Sequence, residues 1–110
     1  MSSSILNDVK HSLGLLPEDT SFDVTIVNSI NTYLNTLNQL GVGPALGFQI
    51  TGPTETWAQF FDNVLLNSVK SYLYLRVRLI FDPPATGFTE ASFARQIQEM
   101  EFRILSETDY

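Results

Sequence analysis

The sequence contains no cysteine and only one histidine, His11. Without cysteine the chain has no disulfide framework, no thiol nucleophile and no thiolate zinc site, and an intracellular compartment is favoured. A catalytic triad or a histidine metal cluster would depend on His11 alone, and no serine stands in a nucleophile-elbow context. We therefore expect no enzyme activity, no metal and no cofactor, and we interpret His11 as a solvent-facing residue of a helix.

Charged residues are also scarce, at 16% of the chain against roughly 25% in typical soluble domains. A surface of uncharged polar side chains loses little free energy on desolvation, so the composition favours association with other copies or other proteins. A monomer with an uncharged polar surface fits it too. The net charge of −6 disfavours a protein that grips DNA, because such a protein must neutralise phosphates.

Three further kinds of segment are absent. No run of 18 apolar residues occurs and the amino terminus has no basic region, so we expect neither a membrane span nor a signal peptide. Gly41, Gly43 and Gly47 lack the Gly-Lys-Ser/Thr ending of a phosphate loop. Glu99 and Glu101 lie two residues apart on a predicted helix and point apart, so they do not form a paired-carboxylate site.

At 110 residues the chain fits a single domain, 1–110.

The longest apolar periodic stretch runs from Asn63 to Pro84 and predicts the central helix of the fold. Its broad apolar face contains Leu65, Leu66, Val69, Tyr72, Leu73, Arg76, Val77, Leu79 and Ile80. Arg76 is the anomaly, because a guanidinium on an apolar face needs a carboxylate or several carbonyls as partners. The expected partners are Asp82, Asp23 or an acidic residue of a neighbouring subunit.

Lys70 and Arg78 join Arg76 in the basic cluster of this stretch. The cluster could contact nucleic acid or form ion pairs and subunit contacts. Arg76 points away from the other two on the helical projection, which favours ion pairs.

Three other helices are predicted. The first runs from Ile5 toward Leu16, and the last from about Glu90 to Ser106. The second, Phe22 to Leu40, has one apolar face and an opposite face of Asn, Thr and Gln without a charge, which fits either a subunit contact or simple solvation. The inner stripe of the last helix is Phe93, Ile97, Met100 and Ile104; Phe102 is left on the other side as a candidate docking residue.

The glycine-rich linker 41–53 alternates Phe48 and Ile50 with polar residues, which predicts a short strand or an extended arm, with Phe48 as a second candidate docking residue. Trp57 and the two phenylalanines after it predict an aromatic turn that either joins the central helix or forms a separate one. The predicted fold is mainly α: a small bundle of about four helices around a long central helix, with a short extended or β element in the linker.

Several segments together resemble the small head-tail connector (adaptor) proteins of long-tailed bacteriophages. They are ILNDVKHSLGL near the amino terminus, DTSFD before the second helix, LGVGP after it, the TWAQFF turn, and above all VKSYLYLRVRLIFDPP. The resemblance covers most of residues 5 to 84 and fades in the last helix. These are packing and turn signatures, with no catalytic motif among them.

The resemblance implies a mostly helical, non-enzymatic virion protein at the head-tail junction, made in the cytoplasm of a host bacterium. It implies a ring of subunits, often twelve, beneath the portal protein, with a stopper or tail-completion protein on the other side. DNA would pass through the channel without specific binding, and no membrane would be involved. The alternative that the residues leave open is a small cytosolic helical regulator or binding module that docks a peptide through Phe102 and the last helix.

Overall fold

The computed structural model describes residues 3–61, 65–81 and 87–108, with side chains described for 3–61, 65–81 and 91–106. This part of the chain contains five helices: α1 (Ile5–Ser12), α2 (Asp23–Gln39), α3 (Trp57–Phe60), α4 (Leu66–Phe81) and α5 (Gly87–Thr108). The mainly helical fold is confirmed. The fifth helix is the single turn α3, which precedes the central helix.

Helix α4 is the centre of the packing, since it contacts α1, α2 and α5. Its buried residues are Val69, Tyr72, Leu73 and Val77, as the apolar periodicity predicts. The structure describes this helix over Leu66–Phe81, with Leu65 in a turn before it. Ile80, expected on the apolar face, is 49% exposed.

Helices α3 and α4 are separate. Phe61, which follows α3, has extended dihedral angles (φ −161°, ψ 118°), so the helix ends there. The cap of α3 is Thr56, and Gln59 Oε1 accepts a hydrogen bond from the Thr56 amide at 2.9 Å. Such a reciprocal contact satisfies an amide that a helix start leaves unpaired.

Helix α1 is capped by Ser4, whose hydroxyl accepts from the Asn7 amide at 3.2 Å, and it ends before Gly14. Gly14 has a φ of +80°, the left-handed conformation that glycine adopts without strain. Because the helix ends at Ser12, Leu16 does not continue its apolar stripe and is 64% exposed.

Trp57 fixes α1 to the segment before α3. Its indole is fully buried and donates a 2.7 Å hydrogen bond to Asp8 of α1. The Ile5 amide donates to the Glu55 carbonyl at 3.1 Å, and Tyr74 of α4 packs edge-on against the indole. The amino-terminal turn, α3 and the middle of α4 therefore pack as one cluster.

Helix α2 follows the predicted pattern closely. Ile26, Ile30, Leu34 and Leu37 are buried. The residue before the first turn is Phe22, which makes no side-chain capping hydrogen bond, and Asp23 begins the helix.

Helix α5 packs mainly on α4, and its predicted inner stripe is confirmed. Ile97 and Ile104 are buried, while Phe93 and Met100 are half-buried. The helix begins at Gly87 rather than near Glu90.

The predicted short extended or β element in the linker is not confirmed, since no strand occurs in residues 3–61. The linker is held instead by side chains of α2. Asn31 accepts from the Ile50 amide at 2.8 Å and donates to the Ile50 carbonyl at 3.0 Å, and Asn38 donates to the Pro44 carbonyl at 2.7 Å. Ile50 and Val42 are thereby buried against the bundle.

Candidate interface surfaces

Arg76 lies at the contact between α4 and α5. Its guanidinium is 2.9 Å from the carboxylate of Glu101, and its Nε donates to the Tyr72 hydroxyl at 3.1 Å. The same hydroxyl donates to Glu101 at 2.6 Å. The guanidinium also lies 5.1 Å from the ring centroid of Tyr33 and 5.5 Å from that of Tyr72, which is cation–π geometry. This cluster, the Arg76 cluster, joins α2, α4 and α5.

The Arg76 cluster is half-exposed, with 29% of the Arg76 side chain and 28% of the Glu101 side chain accessible. Burial, followed by the hydrogen bond to Glu101, raises the pKa of Tyr72 to about 12. The phenol therefore remains protonated at neutral pH and acts as a donor to the carboxylate. The arrangement is that of a structural ion pair, because it presents no nucleophile next to a base.

Within the described residues Arg76 pairs with Glu101, which was not among the expected partners. Of those, Asp23 is paired with Lys10, and Asp82 lies outside the described residues. Glu101 could have been found from the sequence, because it follows Ile97 by four residues and precedes Ile104 by three, which places it beside the inner stripe of α5. The two-residue spacing between Glu99 and Glu101, taken alone, gives no reason to pair Glu101 with Arg76.

A second ion pair was not anticipated. Lys10 of α1 is 1% exposed, and its ammonium lies 2.9 Å from Asp23 Oδ1 and donates to the Pro17 carbonyl at 2.9 Å. Asp23 is 26% exposed, and its Oδ1 contact with Lys10 is ionic rather than a well-aligned hydrogen bond. This pair connects α1, the loop after it and the first turn of α2.

The other two bases of the central helix have separate surroundings. The Lys70 ammonium lies 5.3 Å from the centroid of the Trp57 ring. Arg78 is exposed and borders a shallow pocket with Ser12, Leu13 and Gly14 at the end of α1. The three bases of the predicted cluster therefore face three different neighbourhoods.

The two candidate docking residues have different environments. Phe48 is half-buried, with its ring centroid 5.4 Å from that of Phe60, so much of the ring is used within the fold. Phe102 is 73% exposed on the side of α5 away from the inner stripe. Its neighbours along a shallow groove are Arg95, Gln98, Glu99 and Arg103.

The uncharged face of α2 is partly occupied by the chain itself. Asn31 and Asn38 hold the linker, as described above. The exposed members of this face are Thr25, Asn28, Thr32, Asn35 and Gln39. They form a neutral polar surface that can be desolvated without stranding an ion.

His11 is exposed, as expected for a solvent-facing helix residue. In the described part of the chain, no group of three or more His, Asp or Glu side chains is placed to hold a metal ion. No helix within those same ranges combines the length and apolar content that crossing a membrane requires.

The family model for phage connector proteins matches residues 5–110, which includes every helix from α1 to α5. The chain belongs to this family. No curated protein and no solved structure matches the chain. The match extends through α5, beyond residues 5 to 84 where the sequence resemblance is strongest. As a member of a structural family, this phage connector is a virion component that associates with other head or tail proteins.

Proposed function

We propose that this connector forms a homo-oligomeric ring under the portal protein, extends the DNA channel, and links the phage head to the tail. It has no enzymatic role, and its other partner is a stopper or tail-completion protein. The observation that carries the proposal is the match of the phage connector family model to residues 5–110. A connector has to contact at least one component on each side, so it needs several separate interaction surfaces.

Surface chemistry supports an assembling protein. Seven large apolar side chains are exposed in the described residues: Leu16, Phe22, Val24, Leu46, Ile80, Phe102 and Leu105. They are distributed over α2, α4, α5 and two loops, which fits a subunit with more than one contact. The exposed part of the neutral α2 face adds polar surface whose burial leaves no charge unpaired.

The charge balance supports a channel rather than a DNA clamp. The net charge is −6, and the three bases of α4 face different neighbourhoods. An acidic subunit repels the phosphate backbone, so DNA can slide past a ring of such subunits without being held. We propose that Arg78 and Phe102, which are exposed, lie at contacts with neighbouring proteins.

The test is to mix the purified protein with portal rings from the same phage and to measure the mass of the product by native mass spectrometry and negative-stain imaging. We expect a ring of connector subunits on one end of the portal. A protein that stays monomeric at high concentration and ignores the portal would contradict the proposal. Filter-binding with duplex DNA is the second readout, and strong binding at physiological salt would contradict the channel role.

A further inference from the structure

Two exposed apolar patches on this chain carry opposite charge. The first, the acidic patch, comprises Leu16, Glu18, Asp19, Phe22 and Val24. The second, the basic patch, comprises Arg95, Phe102, Arg103 and Leu105 on the outer side of α5. Both contain large apolar side chains that are at least 45% exposed.

The buried ion pair holds the acidic patch together. Pro17 and Asp23 both contact the Lys10 ammonium at 2.9 Å, which brings the loop after α1 against the first turn of α2. Leu16 (64% exposed) and Val24 (77% exposed) adjoin these two residues in the chain. The two segments that carry the patch are therefore held next to each other by the contacts of Lys10.

The charge of the acidic patch comes from Glu18 and Asp19. The turn after Leu16 is closed by the Asp19 amide, which donates to the Leu16 carbonyl at 3.0 Å. The Ser21 amide donates to the Asp19 carboxylate, and this hydrogen bond lowers the pKa of Asp19. Lys10 is neutralised by Asp23, so the formal charge of the patch is −2.

The basic patch has the opposite sign. Arg95 and Arg103 flank Phe102, which is 73% exposed, and Leu105 is 45% exposed. Glu99 shares the groove, so the formal charge is +1. Glu101 does not add to it, because its carboxylate is paired with Arg76.

The Arg103 end of the basic patch and the Phe22 side of the acidic patch lie toward opposite ends of α4. Arg103 and Met100 form a groove with Asn67, Ser68 and Ser71, near the start of α4. Phe22 packs edge-on against Phe81, the last residue of α4, with ring centroids 6.2 Å apart. Ser71 to Phe81 spans about 15 Å along the axis at roughly 1.5 Å per residue. A second copy can therefore occupy one patch while the other stays open.

From this placement we propose that the acidic patch of one subunit docks on the basic patch of the next, in a head-to-tail contact between copies of this chain. The occupant is a second copy because the chain itself supplies both the apolar surface and the complementary charge. Contacts between unlike patches at separate sites can propagate from subunit to subunit and close into a ring, whereas a two-fold dimer built on one patch alone would oppose like charges. The inference rests on the proposed ring and names the surfaces that build it.

The main test uses two variants that place like charges across the contact, Val24→Lys in the acidic patch and Phe102→Glu in the basic patch. Both side chains are exposed, so both variants should fold. Each alone should weaken self-association at least about tenfold, the effect of losing one apolar anchor. Leu46→Glu is the matched control, since Leu46 is fully exposed and lies in neither patch.

Mixing the two variants gives the sharpest readout. Each variant retains one intact patch, so an equimolar mixture should form 1:1 dimers that cannot grow, as measured by sedimentation velocity. If the wild-type protein assembles and both variants assemble equally well, the inference is overturned and the proposed function stands. A wild-type protein that does not assemble, alone or on portal rings, would instead contradict the proposed function.

Crosslinking provides an independent check, because the natural chain has no cysteine. Val24→Cys and Phe102→Cys subunits, mixed under assembly conditions and treated with a short bis-maleimide, should give a covalent dimer on a denaturing gel. Either variant alone should give little, since like patches do not meet. A mixture of Leu46→Cys and Phe102→Cys that crosslinks as efficiently would contradict the assigned surfaces.

Discussion

The two ion pairs of this connector differ in what surrounds them. Lys10 is almost completely buried and has two oxygen partners, Asp23 and the Pro17 carbonyl. Arg76 is 29% exposed and has Glu101, the Tyr72 hydroxyl and two aromatic faces. Water can solvate Arg76 if its partner is lost, but it cannot reach Lys10 without local opening.

The comparison shows that the effect of breaking an ion pair on stability depends on how deeply the pair is buried. Removing one member of a buried pair leaves a charge without solvent, whereas a half-exposed pair contributes little more than its side-chain packing and hydrogen bonds. The buried pair should therefore control the stability of the α1–α2 end, and the Arg76 cluster should control how α5 sits on α4.

The largest effect is expected for Asp23→Asn, which leaves the Lys10 ammonium buried beside a neutral amide. We expect a loss of about 3 kcal/mol in the free energy of unfolding, at the lower end of the range for broken buried pairs because Asp23 is partly exposed. Urea denaturation measures it. The double variant Lys10→Met/Asp23→Asn should recover most of the loss; a double variant as unstable as the single one would mean that the charge of Lys10 is not the cause.

The Arg76 cluster should respond more mildly and in a graded way. Arg76→Ala removes the stem that packs on Tyr33 and Tyr72 as well as the pair, so we expect a loss of about 1–2 kcal/mol. Arg76→Met keeps the stem and should lose less than about half of that. Thermal and urea unfolding of both variants give the comparison, with exposed Arg95→Met as the control. Equal, negligible effects would mean that Arg76 acts as a simple surface residue.

Alkaline pH should weaken the Arg76 cluster selectively. Burial and the bond to Glu101 raise the pKa of Tyr72 from 10.0 to about 12 in the folded protein. A raised folded-state pKa gives stabilisation that is complete below pH 10 and is lost as the pH rises toward 12. Unfolding free energy should therefore fall over this window, and less steeply in Tyr72→Phe.

Tyr74 provides the internal comparison, because burial, with a smaller effect of Asp8, also raises its pKa to about 12. Tyrosinate absorbance should show a late-titrating fraction that decreases in either Tyr72→Phe or Tyr74→Phe. Unchanged late titration in Tyr72→Phe would contradict the burial of its hydroxyl in the cluster.

Salt should produce the smallest effect. Raising the salt concentration to about 1 M shortens the screening length to about 3 Å, which affects exposed charges more than buried ones. In double-mutant cycles, the coupling of Arg76 with Glu101 should fall by a few tenths of a kcal/mol. The coupling free energy of Lys10 with Asp23 should stay nearly constant. A larger salt effect on Lys10–Asp23 than on Arg76–Glu101 would contradict the assignment of Lys10–Asp23 as the more buried pair.

Periodicity predicted the parts of the fold that depend on one helix at a time. The buried face of α2 and the stripe of α5 around Ile97 and Ile104 follow from 3.6-residue spacing alone. The pairing of Arg76 with Glu101 depends on which helix faces meet, so it was missed even though the helical position of Glu101 was readable. The burial of Lys10 could not be predicted from the sequence, since Lys10 directly follows Val9 and looks like an ordinary residue at the edge of the apolar face of α1.

In the linker, the predicted strand is not confirmed. The alternation around Ile50 resembles a strand, but its backbone groups bond to the side chain of Asn31, nineteen positions earlier. Asn31 uses one amide N–H as a donor and its carbonyl oxygen as an acceptor, so its side chain can replace a neighbouring strand at a single residue. Such an arrangement leaves no local pattern, so the sequence could not show that a side chain rather than a strand pairs with Ile50.

The burial of Lys10 also determines where the protein can be labelled. The chain has two lysines, Lys10 and Lys70. Amine-reactive dyes cannot reach the side chain of Lys10 while the fold is intact, so side-chain coupling is directed to Lys70. That amine lies 5.3 Å from the ring of Trp57, the sole tryptophan. A fluorophore attached there would sit beside the natural emitter, and changes in its quenching would report the opening of the cluster that joins α1, α3 and α4.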